Sequence, residues 1–189
     1  MTALISLYDR LFGTLEARIA PILMPTLARL IFAGTLLLYY WNSGLTKLGE
    51  GITGIFQPSF NAYAQILPRM SEAVSYDASQ LGGFWRIMVL FATWGEFILP
   101  LLVVIGLLTR LGALGMIGFV VAQSWVDIFG HGVSAEDRGS WFDGASDGLI
   151  LDQRAFWVFL LLYLVVRGGG PLSVDALLRS RLQPQTSFA

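Results

Sequence analysis

Cysteine is absent from the 189 residues, and histidine occurs once, at His131. Those two lacks exclude more chemistry than any other feature. A disulfide, a thiolate nucleophile, a Cys-ligated iron–sulfur cluster, a Cys₂His₂ zinc site and a bis-histidine haem all require side chains that this chain does not have. A redox cofactor must therefore be held without those ligands or reside in a partner. Charge is scarce as well: Asp, Glu, Lys and Arg make up 13% of the chain, against roughly 25% in an ordinary globular protein. That is too little to coat a soluble fold. The net charge of -1 leaves no basic surplus to neutralise phosphates, which excludes nucleic acid as a partner. No Gly-rich loop opens a helix after a strand, so a nucleotide site is unsupported, and no metal-ligand cluster is visible.

What is abundant is apolar length. Hydrophobic residues make up 55% of the chain. They gather into four runs, which predict an all-α integral membrane four-helix bundle forming one domain over residues 1–189. Between Arg29 and Lys47 lie 17 uncharged residues, placing a first span over about 25–41. The second covers 84–108, with Glu96 and Pro100 inside it, and the third 111–126. The Thr109–Arg110 connection is short enough to make these two an antiparallel hairpin. The fourth, AFWVFLLLYLVV, has only 12 fully apolar residues and needs its flanks, giving 153–168. A single run of that length fits the buried core of a soluble protein better than a span, but four such runs with aromatic flanks do not.

Before the first span, Leu4, Ile5, Tyr8, Leu11, Phe12, Leu15 and Ile19 share one side of a helix, with Asp9, Arg10 and Glu16 off it. That pattern predicts an interfacial amphipathic helix rather than a cleavable signal peptide, since no basic start precedes a compact apolar core. With both termini cytoplasmic, that side carries seven of the Lys and Arg residues against five outside, which favours N-in, C-in in a bacterial plasma (inner) membrane. The opposite side gathers nine of the thirteen acids, together with Trp41, Trp85, Trp125, Trp141 and Trp157. Its two long loops, 42–83 and 127–152, are expected to fold into an extracytoplasmic cap.

Two charges fall inside spans, Arg29 and Glu96. An ionisable group at mid-membrane costs about 2.5–3.5 kcal/mol on the mildest scale and is usually paired. At about 1.5 Å per residue, Arg29 lies roughly 10 Å and Glu96 roughly 12 Å from the cytoplasmic end, so an antiparallel pair can set them side by side. They then form either a salt bridge that fixes helix register or a ligand site. Pro100 adds weight to the second, because it lacks the N–H that would bond the Glu96 carbonyl and leaves a carboxylate and a free carbonyl in one turn. Gly112, Gly115 and Gly118, followed by Ala122, form a small-residue stripe suited to close helix approach. Gln123 and Asp127, at i and i+4, are expected in solvent or bonded to the cap. His131, in FGHG, is expected just outside the membrane as a hydrogen-bonding residue, with pH sensing as the alternative.

The segments LARLIFAGTLLLYYWNSGLTKL, WGEFILPLLVVIGLLTRLGALG and GGGPLSVDALL together resemble the DoxX family of small four-helix membrane proteins. Of these, the Glu-to-Gly-Leu-Leu-Thr-Arg stretch is the specific part. The resemblance maps the family pattern onto Arg29, Lys47, Glu96 and Arg110, and onto Gly170 to Asp175. The chain departs from many relatives at Pro100 and in its long acidic outer loops. The resemblance implies a redox setting: some relatives are associated with oxidation of sulfur compounds at the expense of membrane quinone. Others are associated with redox-stress complexes that contain superoxide dismutase and sulfur-transfer partners. Three functions follow from the sequence. One is a membrane subunit of a redox system, possible as an oxidoreductase component, with a quinone site near Glu96 and partner proteins supplying the rest. The second is a transporter for a small solute or proton, with Arg29 and Glu96 along its path. Without a visible inverted repeat, that would need a homo-oligomer. The third is a scaffold whose cap docks other proteins.

Overall fold

The computed structural model describes residues 2–182. Its elements are helices: α1 (Thr2–Leu45), α2 (Phe60–Ile66), α3 (Pro68–Ala73), α4 (Gly83–Ile105), α5 (Thr109–His131), α6 (Ala135–Arg138), α7 (Leu149–Arg167) and α8 (Val174–Leu182). Four of them, α1, α4, α5 and α7, are long and apolar enough to cross a membrane. The end of the bundle carrying the α4–α5 turn is called here the turn side, and the opposite end the cap side.

α1 runs for 44 residues without a break, about 66 Å of rise and twice the hydrocarbon thickness of a bilayer. The amphipathic stretch expected ahead of the first span is thus continuous with it, and no residue of Thr2–Ile19 is buried. A π-type turn at Leu15–Ile19 lets the Ala20 N–H reach back to the Leu15 carbonyl just ahead of Pro21, which has no N–H to offer. The other spans differ from expectation at their ends. α4 stops at Ile105 rather than 108, because Gly106 turns into the left-handed region at φ 71°. A Cβ on Gly106 would also meet the Arg29 guanidinium and Ser173, so glycine is required there twice over. α5 continues to His131 and α7 begins at Leu149, each through a π-type turn. Those extra turns carry Asp127 and lead into Arg154, which pair with each other, so the polar ends stay helical.

The core is filled from all four spans: Phe32, Leu36 and Tyr40 of α1, Val103 of α4, Ala113, Met116 and Val120 of α5, and Leu161 and Leu164 of α7. Gly112 lies against Leu102 and Val103, and Gly115 against Leu99, so these two bring α4 and α5 into close contact. Gly118 faces open space and has no such role. On the cap side, Ala62 and Tyr63 of α2 pack against Val89 of α4. The Trp94 indole N–H donates to the Ile55 carbonyl at 2.7 Å, and Pro68 abuts Gly130. The 42–83 loop is thereby fixed to α4 and α5.

On the turn side, α8 folds back beneath the bundle. The Asp175 carboxylate accepts from the Leu108 N–H (2.7 Å), the Thr109 N–H (2.9 Å) and the Thr109 hydroxyl (2.7 Å), capping α5, while its own N–H donates to the Gly106 carbonyl. Partial burial works against the charge, but these donors and nearby Arg179 outweigh it and hold the carboxyl below the ordinary carboxylate range. A group held low stabilises the fold above its unfolded pKa, and that contribution is lost as pH falls through the folded value. Thermal unfolding in detergent is therefore expected to show wild-type stability dropping below about pH 4. Asp175→Asn should be less stable at neutral pH and show a flatter acid limb. An unchanged acid limb would assign the loss to another group.

Candidate functional site

Glu96 lies on the buried face of α4, one turn before Pro100. Its carboxylate meets the ammonium of Lys47, just beyond the end of α1, at 3.0 and 3.1 Å to its two oxygens. Lys47 also donates to the Ser43 hydroxyl at 2.7 Å, and that hydroxyl donates to Glu96 at 3.3 Å, closing a three-membered network. Only 4% of the Lys47 side chain and 7% of the Glu96 side chain are exposed. Two charges so far from water persist only as a hydrogen-bonded pair. Beside them, the Trp41 indole N–H donates to the Phe97 carbonyl at 3.2 Å, so the polar handle at Pro100 falls one residue past the Glu96 carbonyl.

Arg29 is elsewhere, and the expectation that it stands beside Glu96 is corrected. Its guanidinium donates to the carbonyls of Val103 (3.3 Å), Val104 (2.8 and 3.2 Å), Gly169 (3.0 Å) and Leu172 (2.7 Å). These are the last carbonyls of α4 and the loop after α7, where a cation suits the negative helix end. Val103 is seven residues past Glu96, about 10 Å along the helix. Arg29 is therefore level with the turn-side end of α4, shallower than the roughly 10 Å expected. Of the other family-pattern residues, Lys47 pairs with Glu96, Asp175 caps α5, and Arg110 is exposed on the turn side.

Around the Lys47–Glu96 pair lies a cavity of about 260 Å³ that opens toward the cap. Ser43, Lys47 and Glu96 form one wall, Phe119 and Gln123 of α5 another, and Gln65, Asp127 and His131 stand at the rim. Gln123 and Asp127, expected in solvent or on the cap, turn into the bundle. The Gln123 amide donates to the Tyr39 hydroxyl at 2.9 Å, and Asp127 accepts from Arg154 of α7 at 2.6 Å, with Ser124 beside it at 2.9 Å. His131 Nε2 lies 3.0 Å from the Gln65 carbonyl, joining the end of α5 to the cap. The site thus offers a cation, a carboxylate, an amide and an imidazole around a small apolar slot between Ala92, Ala122 and Phe119. Such a slot suits a small flat molecule with polar atoms at its edge. Gln65 and Ser43 carry no signal in the sequence, because neither sits on a periodic pattern. Among the described residues, no group of His, Asp and Glu could hold a metal ion.

Compared with known proteins, residues 24–127 match the family model described as DoxX. No curated protein and no solved structure matches the chain. The matched segment contains Arg29, Lys47, Glu96 and Arg110 and ends at Asp127, so it takes in most of the cavity's lining.

Proposed function

The chain belongs to the DoxX family of membrane proteins, and on that premise we propose that it is a membrane subunit of a redox system whose cap-side cavity receives the head group of a quinone. The observation that carries this reading is the buried Lys47–Glu96 pair lining an otherwise apolar slot. A quinone carbonyl accepts a hydrogen bond from an ammonium, and a quinol hydroxyl donates one to a carboxylate, so the pair can hold either redox form. Reduction of a quinone to a quinol takes two electrons and two protons. The protons have titratable groups at the rim in Asp127 and His131. The electrons need a donor held by a partner protein, since the chain has no cysteine and a single histidine. Oxidation of a sulfur compound or another reductant by that partner fits the resemblance. The Lys and Arg count supports a bacterial inner-membrane orientation with both termini cytoplasmic and the cavity facing out.

The test is the quinone content of protein purified in mild detergent, measured by extraction and chromatography. Wild type is expected to retain quinone, and Glu96→Gln to retain about tenfold less, in line with loss of one charge-assisted hydrogen bond. The double variant Lys47→Met/Glu96→Leu, which leaves no unpaired charge, should also lose the quinone. Equal retention by all three, or none by wild type even after short-chain quinone is added, would remove the proposal.

A further inference from the structure

The end of α7 and the start of α8 enclose a second cavity, of about 330 Å³, on the turn side and remote from the Lys47–Glu96 pair. Arg167, Gly168, Gly169, Gly170 and Arg179 line it. Arg110, in the first turn of α5, flanks it, with its Nε 3.5 Å from the place a Cβ on Gly168 would take. The ion pairs among the described residues are Lys47–Glu96 and Arg154–Asp127, so none of these three arginines is in direct contact with a carboxylate, although Asp175 lies near Arg179. The one acid at the cavity, Asp175, has its oxygens occupied by Leu108 and Thr109. Gly169 is buried, and its N–H has no acceptor among the described residues. Such a donor is available to an acceptor bound in the cavity.

The surroundings narrow what that acceptor is. The cavity sits at the end of a membrane span, the depth of lipid head groups. Exposed Val166, Leu172, Leu177 and Leu178 lie beside it in the chain, an apolar margin next to a cationic hollow. Arginine is the side chain whose planar fork matches phosphate oxygens in pairs. We propose that this cavity binds the phosphate group of an anionic phospholipid, gripped by Arg167 and Arg179 with the Gly169 N–H, its acyl chains running along the apolar residues of α7 and α8. Arg110 adds charge at the margin. The loop's positive-φ glycines, Gly168 at 76° and Gly170 at 75°, give the backbone the bend that forms the hollow.

The test uses the full chain in neutral detergent, titrated with dioctanoyl phosphatidylglycerol, dioctanoyl phosphatidylcholine or inorganic phosphate while thermal unfolding is followed. Phosphatidylglycerol is expected to raise the unfolding temperature saturably. Arg167→Gln/Arg179→Gln should weaken its apparent affinity about tenfold or more, with only a small loss of lipid-free stability from the missing attraction between Arg179 and Asp175. Arg181→Gln, on α8 but outside the cavity lining, should respond like wild type. No saturable response in wild type, or an undiminished one in the double variant, overturns the proposal. A response to phosphatidylcholine equal to that with phosphatidylglycerol would mean that acyl chains alone bind, which also overturns it. An equal response to inorganic phosphate would make the ligand a free phosphate and overturn the lipid assignment.

Discussion

Glu96→Ala is expected to be less stable than wild type by about 3–5 kcal/mol, because it leaves the Lys47 ammonium buried without its counter-charge. Lys47→Met should cost a similar amount by stranding the carboxylate. The double variant Lys47→Met/Glu96→Leu, by contrast, removes both charges and fills the space with apolar atoms, and it should recover most of the loss. The cycle is read from thermal unfolding of the purified proteins in one detergent, and its signature is a double variant more stable than either single one. Losses that simply add would mean that the two side chains contribute independently, contrary to the 3.0 Å contact between them. The double variant is also the protein in which stability and quinone retention part company, since it keeps the fold and lacks the polar lining.

The second large effect is expected at Arg29. Arg29→Met strips the donor from the carbonyls of Val103, Val104, Gly169 and Leu172 at once, and a loss of at least about 3 kcal/mol follows from hydrogen bonds to a charged group worth about 1.5–3 kcal/mol each. Arg29→Lys should rescue little. A single ammonium on a flexible stem cannot address the end of α4 and the loop after α7 together, as the planar five-donor fork does. Limited trypsin digestion offers a local measure: cleavage after Arg167 and Arg179 should accelerate in Arg29→Met, since that loop loses two of its anchors. Quinone retention should not change in any Arg29 variant that can be purified, because Arg29 does not line the cap-side cavity. An Arg29→Lys protein as stable and as protease-resistant as wild type would show that the fork is dispensable.

The four spans were legible because a bilayer demands apolar length before anything else, and hydropathy along the chain reports that directly. Arg29 and Glu96 were equally conspicuous, as charges where charges are expensive. Their partners were not. Lys47 lies beyond the end of α1 and reaches back along its own four-carbon stem to Glu96, so counting rise per residue underestimates how deep its charge goes. Gln123 and Asp127 illustrate a different obstacle. α5 is apolar nearly all round, so the sequence does not reveal which face turns inward, and both residues prove to bond to neighbouring spans rather than to the cap. Gln65 and His131 meet only because the 42–83 loop folds onto the end of α5, and no periodic pattern within either segment encodes that contact. The match to the DoxX family covers the first three spans, while Asp175 lies beyond it in sequence; the closing GGGPLSVDALL segment singled out that residue but not its bonds to Leu108 and Thr109.

Between the Arg29 level and the Lys47–Glu96 level, the interior consists of Phe32, Leu36, Met116 and Leu161, each at most 4% exposed. Those side chains are close-packed and apolar, a layer in which an unpaired charge would cost far more than at either end. The turn-side and cap-side polar layers are therefore held apart by apolar packing, so that a substitution in one is expected to leave the contacts of the other in place.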